Sequence, residues 1–157
     1  MTVQAFSQVV LGAMVLVAAA SPLRVERLES GLRVAASLPR PTYDAGQVVE
    51  VSLTATNTGG APVSVTFTSG QRFDLVIRRP RGDAVWRWSH DKAFIQVIQI
   101  VTLQPGESLS FKIPWDQTDY QGLRVDPGSY EAVAVFLGAT GGAREIRLPP
   151  LAFTIGH

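Results

Sequence analysis

From Gly31 to the C-terminus, apolar residues recur with a period of two in short runs, broken every roughly 8 to 12 residues by Gly, Pro, Asn or Asp. A period of two marks a strand with one buried face, because successive side chains point to opposite sides of a pleated sheet. The pattern is cleanest from Gln47 to Asn57, with Val49, Val51, Leu53 and Ala55 on one face and Glu50, Ser52, Thr54 and Thr56 on the other. Asn57-Thr58-Gly59-Gly60 then offers residues that tolerate positive φ, and Val63, Val65 and Phe67 resume the alternation in a returning strand. Leu32 to Leu38 forms an earlier strand, ended by Pro39 and Pro41, which cannot donate to a ladder. Phe73 to Arg78 places Phe73, Leu75 and Ile77 on one side and Asp74, Val76 and Arg78 on the other; Ala84 to Trp88 places Trp86 and Trp88 on one face. Gln96 to Leu103, Ser108 to Ile113, Ser129 to Leu137 and Arg144 to Ile155 supply the remaining strands. Leu23 to Ser30 alternates but slips phase at Leu28, a connector able to add a short strand, and Ser89 to Phe94 reads as a short helical or irregular turn with Ser or Asp as cap. The prediction is an all-β chain folded as an immunoglobulin-like antiparallel β-sandwich of about nine strands.

Composition narrows this picture. A chain of 157 residues suits one domain, expected over residues 23–157 after an apolar leader at 1–22. Val9 to Ala20 is an unbroken apolar run ending in small residues, and no charged side chain precedes Arg24. It has the length of a signal-peptide hydrophobic region, although the usual basic residues before it are missing. A membrane anchor and an Ala/Val-rich core helix are the other two readings; Pro22 closes the segment short of an ordinary span. Export places the protein in the cell envelope or outside the cell, and otherwise it is cytoplasmic; membrane attachment requires the leader to be retained. With no cysteine, there is no disulfide, no thiolate zinc site and no Cys nucleophile. A net charge of +1, with both signs interspersed, lacks the footprint of a nucleic-acid binder.

Few residues offer chemistry. Ser89-His90-Asp91 has the residue types of a catalytic triad, but sequence neighbours do not converge as nucleophile, base and orienter, and no Gly-x-Ser-x-Gly elbow is present, so a turn is expected. Asp116, Asp119 and Asp126 could offer oxygens to Ca²⁺, yet their spacing departs from the EF-hand pattern and a solvated loop is the simpler reading. Arg81-Gly82-Asp83 is what a tight turn needs. Trp86, Trp88 and Trp115 could form a stacking platform for sugar or peptide, but aromatics at period two ordinarily fill a sandwich core, with at least one indole reaching the surface. No catalytic residue, metal ligand or cofactor is assigned.

Several steps recur in a fixed order: Asn57 closing a strand, Phe67-Thr68-Ser69-Gly70, Phe73-Asp74, Trp86-Arg87-Trp88-Ser89, Phe94 with Gln96, Leu103-Gln104-Pro105-Gly106-Glu107 and Pro127-Gly128-Ser129-Tyr130. In this order the chain resembles the bacterial BsuPI-type intracellular proteinase inhibitor domain over roughly residues 45 to 136. The resemblance implies a protein that binds and blocks bacterial serine proteinases, subtilisin-like ones included, without chemistry of its own. It brings no reactive-site residue with it, and most of the matching positions read as structural: Asn57 and Gly70 in turns, Phe67, Phe73, Trp86 and Trp88 in the core.

An inhibitor of this kind needs an exposed, preorganised loop. Two loops qualify. Arg78 to Asp83 is compact and basic, with Arg79 and Arg81 as partner-binding candidates and Arg81 suited to an acid-floored pocket; Gln117 to Val125 offers Tyr120 and Leu123 to an apolar pocket of subtilisin type. The alternative is a non-catalytic cell-envelope module of immunoglobulin-like fold that holds a protein or glycan. An inhibitor titrates a proteinase to a stoichiometric endpoint, whereas an envelope module leaves it active.

Overall fold

The alternation at the centre of the sequence becomes strand β4 (Val49–Asn57), whose side chains are buried at every second position along its whole length. The computed structural model describes residues 21–157; the apolar run Val9 to Ala20, on which the leader readings rest, lies outside these. Before β4 come β1 (Leu23–Glu29), β2 (Leu32–Leu38) and β3 (Thr42–Tyr43). After it come β5 (Val63–Phe67), β6 (Phe73–Arg78), β7 (Ala84–Arg87), a 3-10 turn (Trp88–Asp91), β8 (Gln99–Leu103), β9 (Ser108–Trp115), β10 (Gly128–Phe136), β11 (Ile146–Arg147) and β12 (Leu151–Ile155). One sheet has the order β1-β2-β4-β9; the facing sheet runs β3-β12-β10-β6-β7 with β11 beside β10, and β5 and β8 form a two-stranded sheet. All pairs are antiparallel except β3 with β12. The chain is an all-β sandwich.

The described residues form twelve strands rather than about nine, for local reasons. β1 pairs with β2 over its full length, and as an edge strand with mostly exposed side chains it needs no strict phase, so the slip at Leu28 is tolerated. Ser30 (φ 49) and Gly31 (φ 82) close this hairpin, both left-handed as a two-residue type I′ turn demands. β3 has only two residues, and Pro149-Pro150 divides the expected last strand into β11 and β12. Pro114 is tolerated within β9 because β9 is the edge of its sheet. In β6, Asp74 and Val76 are buried as well as the expected face, since this strand lies between β10 and β7. Trp86 and Trp88 do not share a strand face, because β7 ends at Arg87 and Trp88 opens the 3-10 turn.

Residues of both larger sheets and of β5 and β8 fill one continuous core. At one end Trp115 packs edge-on against Tyr130 and Phe153, at ring separations of 5.9 and 6.2 Å, and Trp86 lies 6.3 Å from Trp115. Phe67 meets Phe136 edge-on, and half-buried Trp88 covers Phe73 at 4.4 Å. Among the described residues no helix is long and apolar enough to cross a membrane.

Two tyrosines tie this core to pH. Burial is the main cause that lifts the phenols of Tyr43 and Tyr130 above the ordinary 10.0, partly opposed by Arg40 and Arg79 respectively. A raised folded-state pKa contributes stability that is complete below the ordinary value and lost as pH rises through the folded one. Denaturant midpoints are therefore expected to hold steady below about pH 9 and to fall above about pH 10; Tyr43→Phe should flatten that fall, which chemical denaturation across this range checks.

Candidate interaction surface

The turn from Arg79 to Gly82 is closed by the Gly82 N–H donating to the Arg79 carbonyl at 2.9 Å, with Arg81 at left-handed φ 56. Here the two arginines part. The Arg79 guanidinium lies 4.1 Å over the Tyr130 ring and faces the carbonyls of Ser129 and Asp126, so it is laid against the sandwich. Arg81 stays exposed at the tip.

Residues 116–125 fold back as a small hairpin. The Asp119 N–H donates to the Leu123 carbonyl at 2.8 Å, the Gly122 N–H to the Asp119 carbonyl at 3.0 Å, and Gly122 is left-handed (φ 78). This is a type I turn followed by a left-handed glycine, the usual three-residue hairpin connection. Asp119 Oδ1 also accepts the N–H groups of Gln121 and Leu123, and Asp116 Oδ1 accepts from Thr118 N–H and Oγ1–H. Two of the aspartates considered as Ca²⁺ ligands thus hold the loop's own backbone. The hairpin is mounted on Gln117, fully buried at φ 64, whose Nε2 donates to the carbonyls of Asp44 and Gln47 and whose Oε1 accepts the Gly46 N–H, each at 2.8 Å. Trp115 Nε1–H donates to the Thr118 carbonyl at 2.8 Å. The tip exposes Tyr120 (45%) and Leu123 (61%). Tyr120 rests edge-on against His90 at 5.2 Å, above a groove of about 620 Å³ that also takes in Trp86, Pro114 and Val48.

The 3-10 turn is fastened from below by Asp74 rather than by a cap of its own. The Asp74 carboxylate accepts from Ser89 Oγ–H (2.6 Å), Ser89 N–H (3.2 Å), Leu75 N–H (2.9 Å) and an Arg87 guanidinium N–H (3.2 Å). His90 Nδ1 lies 2.6 Å from the Arg87 carbonyl, which only accepts, so this nitrogen carries the proton. Asp91 pairs with Lys92 Nζ at 3.0 Å, a bond that holds its carboxyl below the usual value. Ser89, His90 and Asp91 are thus each bonded elsewhere and form no triad.

Beyond this turn the chain runs through residues 92–98 without regular pairing, where a strand from Gln96 was expected; the ladder with β5 begins only at Gln99, opposite Phe67. Lys92 Nζ donates to the Trp88 carbonyl at 2.8 Å and sits 4.5 Å over the Trp88 ring, against which Phe94 also packs. The Gly70 N–H donates to the Ile95 carbonyl at 2.8 Å. Among the described residues, Gln96 to Ile98 exchange no main-chain hydrogen bond with any other segment, and β8 pairs with β5 alone. Ile95 (77%), Val97 (40%), Ile98 (72%) and Ile100 (66%) are exposed. The sequence signal for this surface was the run Phe94-Ile95-Gln96-Val97-Ile98-Gln99-Ile100, too apolar for a strand with a wet face.

A family model described as intracellular proteinase inhibitor, BsuPI, matches residues 37–141, more than half of the chain and slightly beyond the stretch on which the resemblance was drawn. No curated protein matches the sequence. Among solved structures, similarity is found to a β-glucosidase, EmGH1, from Erythrobacter marinus (18% identity, 77% of this chain and 15% of that one, TM-score 0.44). A β-glucosidase from Listeria innocua in complex with gluconolactone is also similar (16%, 84% and 16%, TM-score 0.45), as is the sporulation control protein Spo0M from Bacillus subtilis (16%, 82% and 51%, TM-score 0.44). The chain spans about half of Spo0M and about a sixth of each glucosidase.

Proposed function

The chain belongs to the BsuPI intracellular proteinase inhibitor family, and from that premise we propose that it binds and blocks a serine proteinase of subtilisin type through an exposed loop, with no chemistry of its own. The family match over residues 37–141 carries this reading. The hairpin at Asp119 to Leu123 supports it: Tyr120 and Leu123 project from a backbone already ordered by the buried Gln117 and by the Asp116 and Asp119 carboxylates. Ordering achieved in folding is not charged again on binding, which is how a small loop contributes affinity. Apolar Tyr120 and Leu123 suit an apolar pocket, and exposed Arg81 on its own turn is the lesser contact, suited to an acid-floored one. The partner is a protein, and the description of the family as intracellular favours action inside the cell.

Replacing Tyr120 and Leu123 together by alanine in the full chain is expected to raise the inhibition constant against subtilisin roughly 10-fold, with thermal stability within about 1 kcal/mol of the parent. Residual-activity titrations at matched concentrations check this, and unchanged inhibition removes the hairpin from the contact. The Arg81→Ala chain is expected to inhibit subtilisin as the parent does.

A further inference from the structure

Resting on the inhibitor reading above, we propose that the stretch Ile95 to Ile100 is the part of the chain that lies along the substrate cleft of the target proteinase, adding a strand to the cleft's edge and filling uncharged apolar subsites.

A segment that occupies a proteinase cleft must be extended, with free main-chain groups and side chains turned outward. The hairpin tip at Tyr120 is too tight to lie this way. Residues 92–98 contain no turn or bend and Ile95 to Ile98 are exposed; Gln96 to Ile98 leave their main-chain groups unbonded within the described chain, and the following strand keeps one edge unpaired. Both ends of the stretch are fixed. Phe94 and Lys92 are packed on Trp88, the Gly70 N–H holds the Ile95 carbonyl, and β8 is laddered to β5 from Gln99 onward. The extended form is thereby set before any partner arrives, which lowers the ordering cost of binding.

The side chains name the partner's chemistry. Four of the eight large apolar side chains left exposed among the described residues are Ile95, Val97, Ile98 and Ile100. Natural sheets blunt a free edge with charge, proline or a bulge, because an apolar edge invites pairing with another chain. Here Ala93 to Val101 contains neither a charged residue nor a proline. A cleft that accepts this stretch is itself uncharged and apolar, as in subtilisin-type enzymes; an acid-floored, trypsin-type pocket finds no cation in it.

Three full-length variants test the assignment: Ile98→Lys, which brings charge to an apolar subsite; Val97→Pro, which removes one main-chain donor; and the Tyr120/Leu123 alanine pair for comparison. Because positions 97 and 98 make no ladder bond, Ile98→Lys and Val97→Pro are expected to melt like the parent. Against active-site-counted subtilisin, Ile98→Lys and Val97→Pro are each expected to weaken inhibition by roughly 100-fold, against roughly 10-fold for the alanine pair. Amide exchange at residues 96–98 is expected to be fast in the free chain and slowed in the complex with subtilisin. Folded Ile98→Lys or Val97→Pro chains that inhibit like the parent, or amides already protected in the free chain, overturn the assignment while leaving the inhibitor reading standing. A parent chain that leaves subtilisin fully active overturns both.

Discussion

Asn57→Leu is expected to lower the stability of the chain by about 4 kcal/mol. Asn57 is fully buried at the end of β4. Its Nδ2 donates to the carbonyls of Ala61 and Leu103 at 2.8 and 2.9 Å, and its Oδ1 accepts the Gly59 N–H at 2.9 Å. Leucine fills a similar volume and supplies none of these bonds, so two carbonyls and one N–H lose their partners; the Leu103 carbonyl, whose bond is buried, contributes the largest loss, about 1–3 kcal/mol, and the part-buried bonds at Ala61 and Gly59 add smaller ones. Since Leu103 ends β8, the strand that carries the exposed apolar edge is loosened as well. The melting temperature is expected to fall by roughly 10 °C. Asn57→Asp should be as severe, because it sets two acceptors against the same carbonyls, and a thermal scan in which either variant melts within about 2 °C of the parent contradicts this account.

Gln117→Ala is expected to cost about 3 kcal/mol, and here glycine separates the two causes at work. The buried amide ties the hairpin base to the turn at Asp44 to Gln47 through three bonds, and all are lost in either substitution. Gln117 is also left-handed (φ 64), a conformation that costs an ordinary residue about 1 kcal/mol and glycine almost nothing. Gln117→Gly is therefore expected to be the milder of the two by up to about 1 kcal/mol, while still freeing the hairpin that presents Tyr120 and Leu123. Denaturant unfolding gives the order directly, and alanine proving milder than glycine contradicts the backbone assignment.

These two residues also show where the sequence stops being informative. The period-two pattern of β4 and the Gly and Pro breaks locate most strands, because a strand's inward face is a local property of the chain. Asn57 reads locally as a turn former; that it closes a buried network depends on Leu103, brought beside it by the fold. Gln117 and Asp74 are likewise silent in sequence, since their partners lie at Asp44 to Gln47 and at Arg87 and Ser89. The loop residues differ in placement for the same reason. Tyr120, Leu123 and Arg81 are exposed on tight turns as turn chemistry implies, whereas Arg79 is drawn onto Tyr130 by a contact no spacing reveals. Residues 96–98 have the β-branched composition of a strand, but β5 ends at Phe67 before Ser69-Gly70, so the chain there has no neighbour to pair with.

The central claim, that this sandwich binds and blocks a proteinase, is tested most directly by adding the full chain in increasing amounts to active-site-counted subtilisin and measuring residual activity. The account predicts a linear loss of activity ending near one chain per active site. Full activity at large molar excess contradicts it, and leaves the interaction module of the cell envelope as the function to pursue.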